Sequence, residues 1–209
     1  MGAFTVATRN LGHAERSQDR VEVIEHADGL VVALADGSGG MAGGAEAAEL
    51  VVQAVRDAHA RGVETADAAA WCGLLGDLDE RIAVSPHGGE TTAVLLGIDT
   101  NGIVGASVGD SEAWLVLDDG FEDLTAHQHA KARLGTGMAV PAPFSARPWA
   151  GTLLVASDGL TKFAAVEALL EAARLPDLEA AATRLVDLVR LRSGALQDDV
   201  SLVLIRRTT

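Results

Sequence analysis

Basic residues are scarce in this chain: 16 Lys and Arg stand against 30 Asp and Glu, a formal net charge of −14. That balance argues against DNA, RNA or an anionic membrane as the main partner, because each is bound through its phosphates by positive charge. Cysteine is nearly missing as well. The lone Cys72 excludes an intramolecular disulfide and suits a reducing cytoplasm. It lies within a helical apolar pattern, so it is a packing residue and not a nucleophile. No apolar run approaches the ~18 residues of a membrane span. The opening MGAFTVATRN lacks the basic-then-apolar layout of a signal peptide, so a soluble, cytoplasmic protein is expected. No P-loop pattern G-x-x-x-x-G-K-[ST] occurs. No repeat, low-complexity tract or linker divides the 209 residues. What remains is 48 % hydrophobic, with mean hydropathy +0.22, and is read as one domain spanning 1–209 with a core of its own.

The chain is organised around Leu30–Glu49, LVVALADGSGGMAGGAEAAE. Six apolar residues, Leu30–Ala35, have the length and β-branched content of a buried strand. They end on Asp36, with Gly37, Gly39, Gly40, Gly43 and Gly44 behind it and an alanine-rich helical pattern after that. A carboxylate at a buried strand end, facing a turn almost bare of side chains, suits a hard cation, because a backbone carbonyl can approach the same ion. Gly37-x-Gly39-x-x-Ala42 also fits the loose dinucleotide-binding pattern of strand, glycine turn and helix. That fold needs a second parallel strand after the helix, whereas Thr65–Ala83 reads as another helix. Asp36 would also set negative charge beside a pyrophosphate.

Before this stretch, Gly2–Thr8 reads as a strand, Arg9–Arg20 as a polar loop and Val21–Glu25 as a half-exposed strand. Asp28-Gly29 is a hairpin signal, so a meander of antiparallel strands is expected to lead up to Asp36. Two helices follow. Ala48, Val51, Val52, Val55 and Ala58 stripe the first, with Gly62 as its stop; Trp71, Leu74, Leu75, Leu78 and Ile82 stripe the second, with Thr65 as N-cap. Strands are then expected at Thr91–Ile98, Ile103–Val108 and Glu112–Leu117, with hairpin turns at Asn101-Gly102 and Asp119-Gly120. Gly109-Asp110 differs, because it puts a carboxylate where two strands meet. Thr125–Pro148 reads as an irregular loop over one edge, its His127 and His129 a solvated pair and not ligands. A strand over Thr152–Ala156, helices over Thr161–Ala173 and Asp177–Arg192, and a final strand over Val200–Ile205 complete the chain.

Asp36, Asp110, Asp158 and Asp198 share one local setting, each at the edge of an apolar strand beside small or polar residues. Four carboxylates so placed are costly to bury unless they converge on cations. Ligation by carboxylates, with no cysteine ligand and no firm histidine, points to Mg²⁺ or Mn²⁺ over Zn²⁺. Two such ions activate a shared water and clamp phosphoryl oxygens, which makes phosphate-ester hydrolysis the natural reaction.

The order of motifs resembles the PPM-type metal-dependent protein phosphatases, the type 2C class. The matching blocks are Gln18-Asp19, Ala35-Asp36-Gly37-Ser38-Gly39-Gly40, Gly89-Glu90-Thr91-Thr92-Ala93, Val108-Gly109-Asp110-Ser111, Leu154-Val155-Ala156-Ser157-Asp158-Gly159-Leu160 and Asp198-Asp199-Val200-Ser201. The resemblance implies an α+β fold, a four-layer αββα sandwich of two antiparallel β-sheets flanked by helix pairs. It implies that Asp36 bridges two Mn²⁺ or Mg²⁺ ions, with the Gly37 carbonyl completing the first site and Asp158 and Asp198 holding the second. Asp110 matches the position that helps bind a third ion in bacterial members. Gln18 and Asp19 would act through water, while Thr91 and Thr92 serve the core strand and site wall. The expected activity is hydrolysis of phosphoserine and phosphothreonine in proteins by a metal-bridged water.

The departures bear on turnover. The family's phosphate-gripping arginine falls on Ala14, and Arg16, nearby but out of register, is the candidate to contact substrate phosphate. Ser38 and Glu112 stand where some members have a histidine and an arginine. The region 125–151 is shorter than the family's flap. The alternative expectation is a phosphatase-like domain that binds a phosphoprotein or regulator with little turnover.

Overall fold

The structure is a computed structural model and describes residues 3–27, 29–39, 43–63, 66–86, 88–128 and 132–208. In its first half the chain forms β1 (Phe4–Leu11), β2 (Arg20–His26), β3 (Gly29–Ala35), β4 (Gly37–Ser38), α1 (Gly43–Ala60), α2 (Ala68–Ala83), β5 (Glu90–Thr91), β6 (Ala93–Asp99) and β7 (Ile103–Val108). The second half forms β8 (Glu112–Val116), β9 (Phe121–Asp123), β10 (Ala142–Ala146), β11 (Thr152–Ala156), α3 (Asp158–Thr161), α4 (Val166–Ala173), α5 (Leu178–Val189) and β12 (Val200–Arg207).

Side-chain alternation along the inner strands decides the layering. In β3 every residue is buried. Leu30, Val32 and Leu34 pack into a core shared with Leu153, Val155, Val203 and Ile205 of the other sheet. Val31, Ala33 and Ala35 point the opposite way, against Val51, Val52, Trp71 and Leu75 of α1 and α2. A strand apolar on both faces must be covered on both. The same division in β11 and β12 sends Leu154, Leu202 and Leu204 toward α4 and α5. The result is α1 and α2 outside the sheet β10-β7-β6-β3-β2, and α4 and α5 outside the sheet β1-β12-β11-β8-β9. This is the expected αββα sandwich of antiparallel sheets. Each fully buried Leu, Ile or Val contributes ~1.5–3 kcal/mol against chain entropy.

Several local expectations change. β1 continues to Leu11 and pairs with β12, not β2, so the chain crosses between sheets before Asp36 and forms no meander. The expected strand at Thr91–Ile98 breaks at Thr92, whose backbone N–H donates to the Asp36 carbonyl at 2.9 Å. The segment 125–148 contributes β10 as an edge strand on β7, because Phe144 and Ala146 are apolar enough to close the inter-sheet core. The helix expected at Thr161–Ala173 is two, α3 and α4, and α3 starts at Asp158 itself. α2 is capped by Asp67, whose carboxylate accepts from Ala69 N at 2.9 Å; Thr65 lies outside the described residues, as do Asp28, Gly40 and His129.

Antiparallel register carries the acidic residues to one end of the sandwich. β3 and β7 run the same way with β6 between them, so Asp36 and Asp110 follow strand ends on the same side. Arg20 pairs with Ala35, which sets Asp19 opposite Asp36. In the other sheet Ala156 pairs with Leu202, so the residues after β11 lie beside those before β12.

Candidate metal centre

Asp36, Asp110 and Asp158 each bring one carboxylate oxygen within 4.8 Å of the others. Their settings differ: Asp158 is buried, Asp36 half-buried and Asp110 exposed. Asp36 is fixed through its backbone. Its N–H donates to Thr92 Oγ1 at 3.2 Å, and its carbonyl accepts from Thr91 Oγ1 at 2.9 Å. Thr92 Oγ1 in turn meets Ser111 Oγ at 2.6 Å, tying the Asp36 turn to the one after Asp110. This gives the two threonines a positioning task along the site wall.

Gly37 follows in the crowded turn. A Cβ there would lie 2.3 Å from the Gly44 carbonyl oxygen and 2.8 Å from that of Gln18. Only glycine lets the start of α1, the Gln18 loop and the Asp36 turn close on one another. Gln18 Oε1 is buried in this contact without a hydrogen-bond partner among the described residues.

Asp19 is fully buried, and neither carboxylate oxygen makes a hydrogen bond among the described residues. Burial pushes its pKa up to about 6; the Asp199 charge adds to the rise, while the nearby Ser157 and Ser201 hydroxyls and Asp36 oppose it. Asp36 is raised further, to about 9, first by burial and then by the charges of Asp19, Asp158 and Asp110, with Arg133 pulling the other way. Carboxylates crowded into one buried region resist ionisation, and a hard divalent cation is the partner that relieves them. The orphaned oxygens of Asp19 and the all-oxygen donor set therefore fit Mn²⁺ or Mg²⁺.

Asp198 stands apart from the group of three. It is exposed, and its Oδ1 accepts from Asp199 N at 2.9 Å. It remains a neighbour: a Cβ on Gly159 would lie 3.4 Å from the Asp198 Cβ and 1.9 Å from the Asp199 carbonyl oxygen. Asp199 has a different task. Its carboxylate accepts from His13 N at 2.7 Å and Gln18 N at 2.6 Å, pinning the loop that carries Asp19. Arg16, on that loop, is exposed and makes no hydrogen bond or ion pair among the described residues. His127 lines a separate surface depression with Phe144 and Ser145.

Two cations that sequence reasoning missed reach the carboxylates. Lys162 Nζ lies 2.6 Å from Asp158 Oδ2, one helical turn on. Arg133 donates from one terminal nitrogen to Ser38 Oγ at 2.8 Å, while the other lies 3.5 Å from Asp110 Oδ2. Arg133 is delivered by its neighbour: Leu134 is fully buried and exchanges backbone hydrogen bonds with Thr91 at 2.9 and 3.1 Å. The rest of that turn is held by Asp79 of α2, whose carboxylate accepts from the backbone N–H groups of Gly135, Gly137 and Ala139 at 2.7–3.0 Å. Asp79 sits on the apolar stripe Leu75, Leu78, Ile82, and a carboxylate on such a stripe was the available signal. A cleft of about 690 Å³ opens beside the carboxylates, lined by Asp110, Ser111, Glu112, Asp123, Arg133 and Lys162 among others.

Two facing antiparallel sheets between helix pairs, with the carboxylates gathered at one end, define the bacterial-type PPM fold, and the chain has that fold. It is similar over 99 % of both chains to the catalytic domain of the serine/threonine protein phosphatase PstP in complex with two manganese ions, at 25 % identity and TM-score 0.80. The Mycobacterium tuberculosis serine/threonine phosphatase PstP/Ppp matches at 24 % identity over 99 % of both chains, TM-score 0.78. The S. agalactiae serine/threonine phosphatase matches at 22 % identity over 98 % of this chain and all of its own, TM-score 0.80. No protein-family model and no curated protein matches the sequence.

Proposed function

We propose that the protein is a metal-dependent phosphatase that removes phosphate from phosphoserine and phosphothreonine in proteins of the cytoplasm. The observation that carries this reading is the convergence of Asp36, Asp110 and Asp158 on one point of a PPM fold. Asp36, Asp158 and Asp198 would hold two Mn²⁺ or Mg²⁺ ions, with the Gly37 carbonyl assisting at the first, Asp19 acting through water and Asp110 assisting with a third. Bound there, the ions supply a water nucleophile at neutral pH and a clamp on phosphoryl oxygens. The chain's own residues keep the carboxylates in place: Thr91 and Thr92 through the Asp36 backbone, Asp199 through the Asp19 loop. Segment 125–151 stands as the shortened counterpart of the family's flap, and its Arg133 adds a fixed positive charge on one side of the cleft.

A second reading, a domain that binds a phosphoprotein without turnover, is favoured by the alanine at position 14. One experiment separates the two. Phosphate release from an aryl phosphate and from a phosphothreonine peptide is measured with Mn²⁺, with chelator, and in Asp36→Asn. Turnover is expected with Mn²⁺ only, and at least about a hundredfold less in the variant, the scale of losing one group that stabilises transition-state charge. Mn²⁺ binding by calorimetry without phosphate release would install the binding-only reading instead.

A further inference from the structure

We propose that Lys162 takes the substrate phosphate, supplying the positive charge that Ala14 does not. The inference rests on the phosphatase reading of the same site. Three cations near the site could take this task, and their engagements separate them. Arg16 points into solvent from the 12–19 loop with no partner among the described residues. Arg133 is committed, one terminal nitrogen on Ser38 and the other facing Asp110. Lys162 combines closeness with freedom. Its ammonium is 2.6 Å from Asp158 Oδ2, yet its side chain is 59 % exposed and ends in the cleft that Asp110, Ser111 and Arg133 also line.

The chemistry of the contact explains the exchange. A divalent cation on the Asp158 carboxylate would weaken its pair with the ammonium, because the two positive charges repel. Lys162 is the local counter-ion of Asp158 in this structure and would be loosened when metal binds. Its backbone stays put: it closes α3, its N–H donating to the Asp158 carbonyl oxygen at 2.9 Å. The ammonium, on a flexible four-carbon stem, thus stays within one side-chain length of Asp158 and at the wall of the cleft. That cleft is otherwise acidic, with Glu90, Glu112 and Asp123 on its walls. A phosphate dianion entering it needs a cation that is not already spent. Lys162 would hold it on the Asp158 side of the cleft.

The test uses the full chain and Lys162→Ala, Lys162→Arg and Arg16→Ala, with three readouts. Calorimetry with Mn²⁺ comes first: Lys162→Ala is expected to bind the ion several-fold tighter, its competitor gone. Inorganic phosphate is then titrated into Mn²⁺-loaded protein, where Lys162→Ala is expected to weaken binding roughly tenfold to a hundredfold, the range of one charge-assisted hydrogen bond. Lys162→Arg should recover most of that loss, and Arg16→Ala should show none. KM for an aryl phosphate should follow the phosphate affinity, with kcat changed less. Unaltered phosphate affinity in Lys162→Ala overturns the inference, and so does a loss confined to Arg16→Ala. A wild-type chain that binds phosphate through Lys162 but hydrolyses no ester would remove the phosphatase reading and leave the role of Lys162 standing.

Discussion

Asp198 and Asp199 are adjacent in sequence and opposite in purpose. The Asp199 carboxylate accepts two backbone N–H groups from a loop about 180 residues away in the chain, and each charge-assisted bond contributes about 1.5–3 kcal/mol. Asp198 faces solvent, and its carboxylate accepts from its neighbour's amide. Asp199→Ala should therefore lower the unfolding free energy by roughly 2–4 kcal/mol in urea melts, with the Asp19 loop released. Asp198→Ala should stay within about 0.5 kcal/mol of wild type, as exposed substitutions do, while weakening one of the Mn²⁺ binding events seen by calorimetry. Equal stability losses in the two variants would contradict this division.

At the scale of elements, α2 reaches the site without touching it. Asp79 gathers the amides of Gly135, Gly137 and Ala139, and the turn so formed sends Leu134 into the core and Arg133 to Asp110. Truncating Asp79 leaves those donors without their acceptor. Asp79→Ala should cost about 2–4 kcal/mol, on the scale of orphaned charge-assisted bonds. Hydrogen exchange gives the sharper check: the amides of 135, 137 and 139 should lose protection while those of β3 keep theirs. Retained protection at the three positions would mean that the Leu134–Thr91 bridge alone holds the turn. Arg133 should also drift from Asp110 in the variant, raising KM for phosphate esters.

For the whole molecule, the acidic end of the sandwich ties stability to pH and metal. Asp36 at about 9 and Asp19 at about 6 are both raised above the ordinary value of 3.8, each chiefly by burial. Between about pH 4 and those values the native state holds protons that the unfolded chain has released, so stability falls as pH rises. With a chelator present, the melting temperature should decline from pH 5 toward pH 9, most of the Asp19 share being spent by about pH 6 to 7. Saturating Mn²⁺ takes the place of those protons, so the decline should flatten and binding should release protons. A chelated protein whose melting temperature climbs steadily over that window would show that the carboxylates are not crowded as described.

How much of this was legible beforehand follows from the range of each interaction. The runs Leu30–Ala35, Ile103–Val108 and Thr152–Ala156, and the stripes of α1 and α2, were readable because alternation and helical period are local properties. The aspartates at strand ends were readable for the same reason, and the resemblance of the ordered blocks supplied the layers and the expected ligand set. The pairing of β1 with β12 was not, since Phe4 meets Arg207 only after the chain has closed on itself, and a short half-exposed strand does not encode its partner. Nor did the sequence mark Arg133 or Lys162: a cation in a helix or loop reads as solvated surface until packing brings it to another charge. Local chemistry by itself determined which segments fold and where acids stand along them. Only the tertiary structure decided which of those acids meet, and which cations stand between them, because those contacts join residues that the sequence keeps far apart.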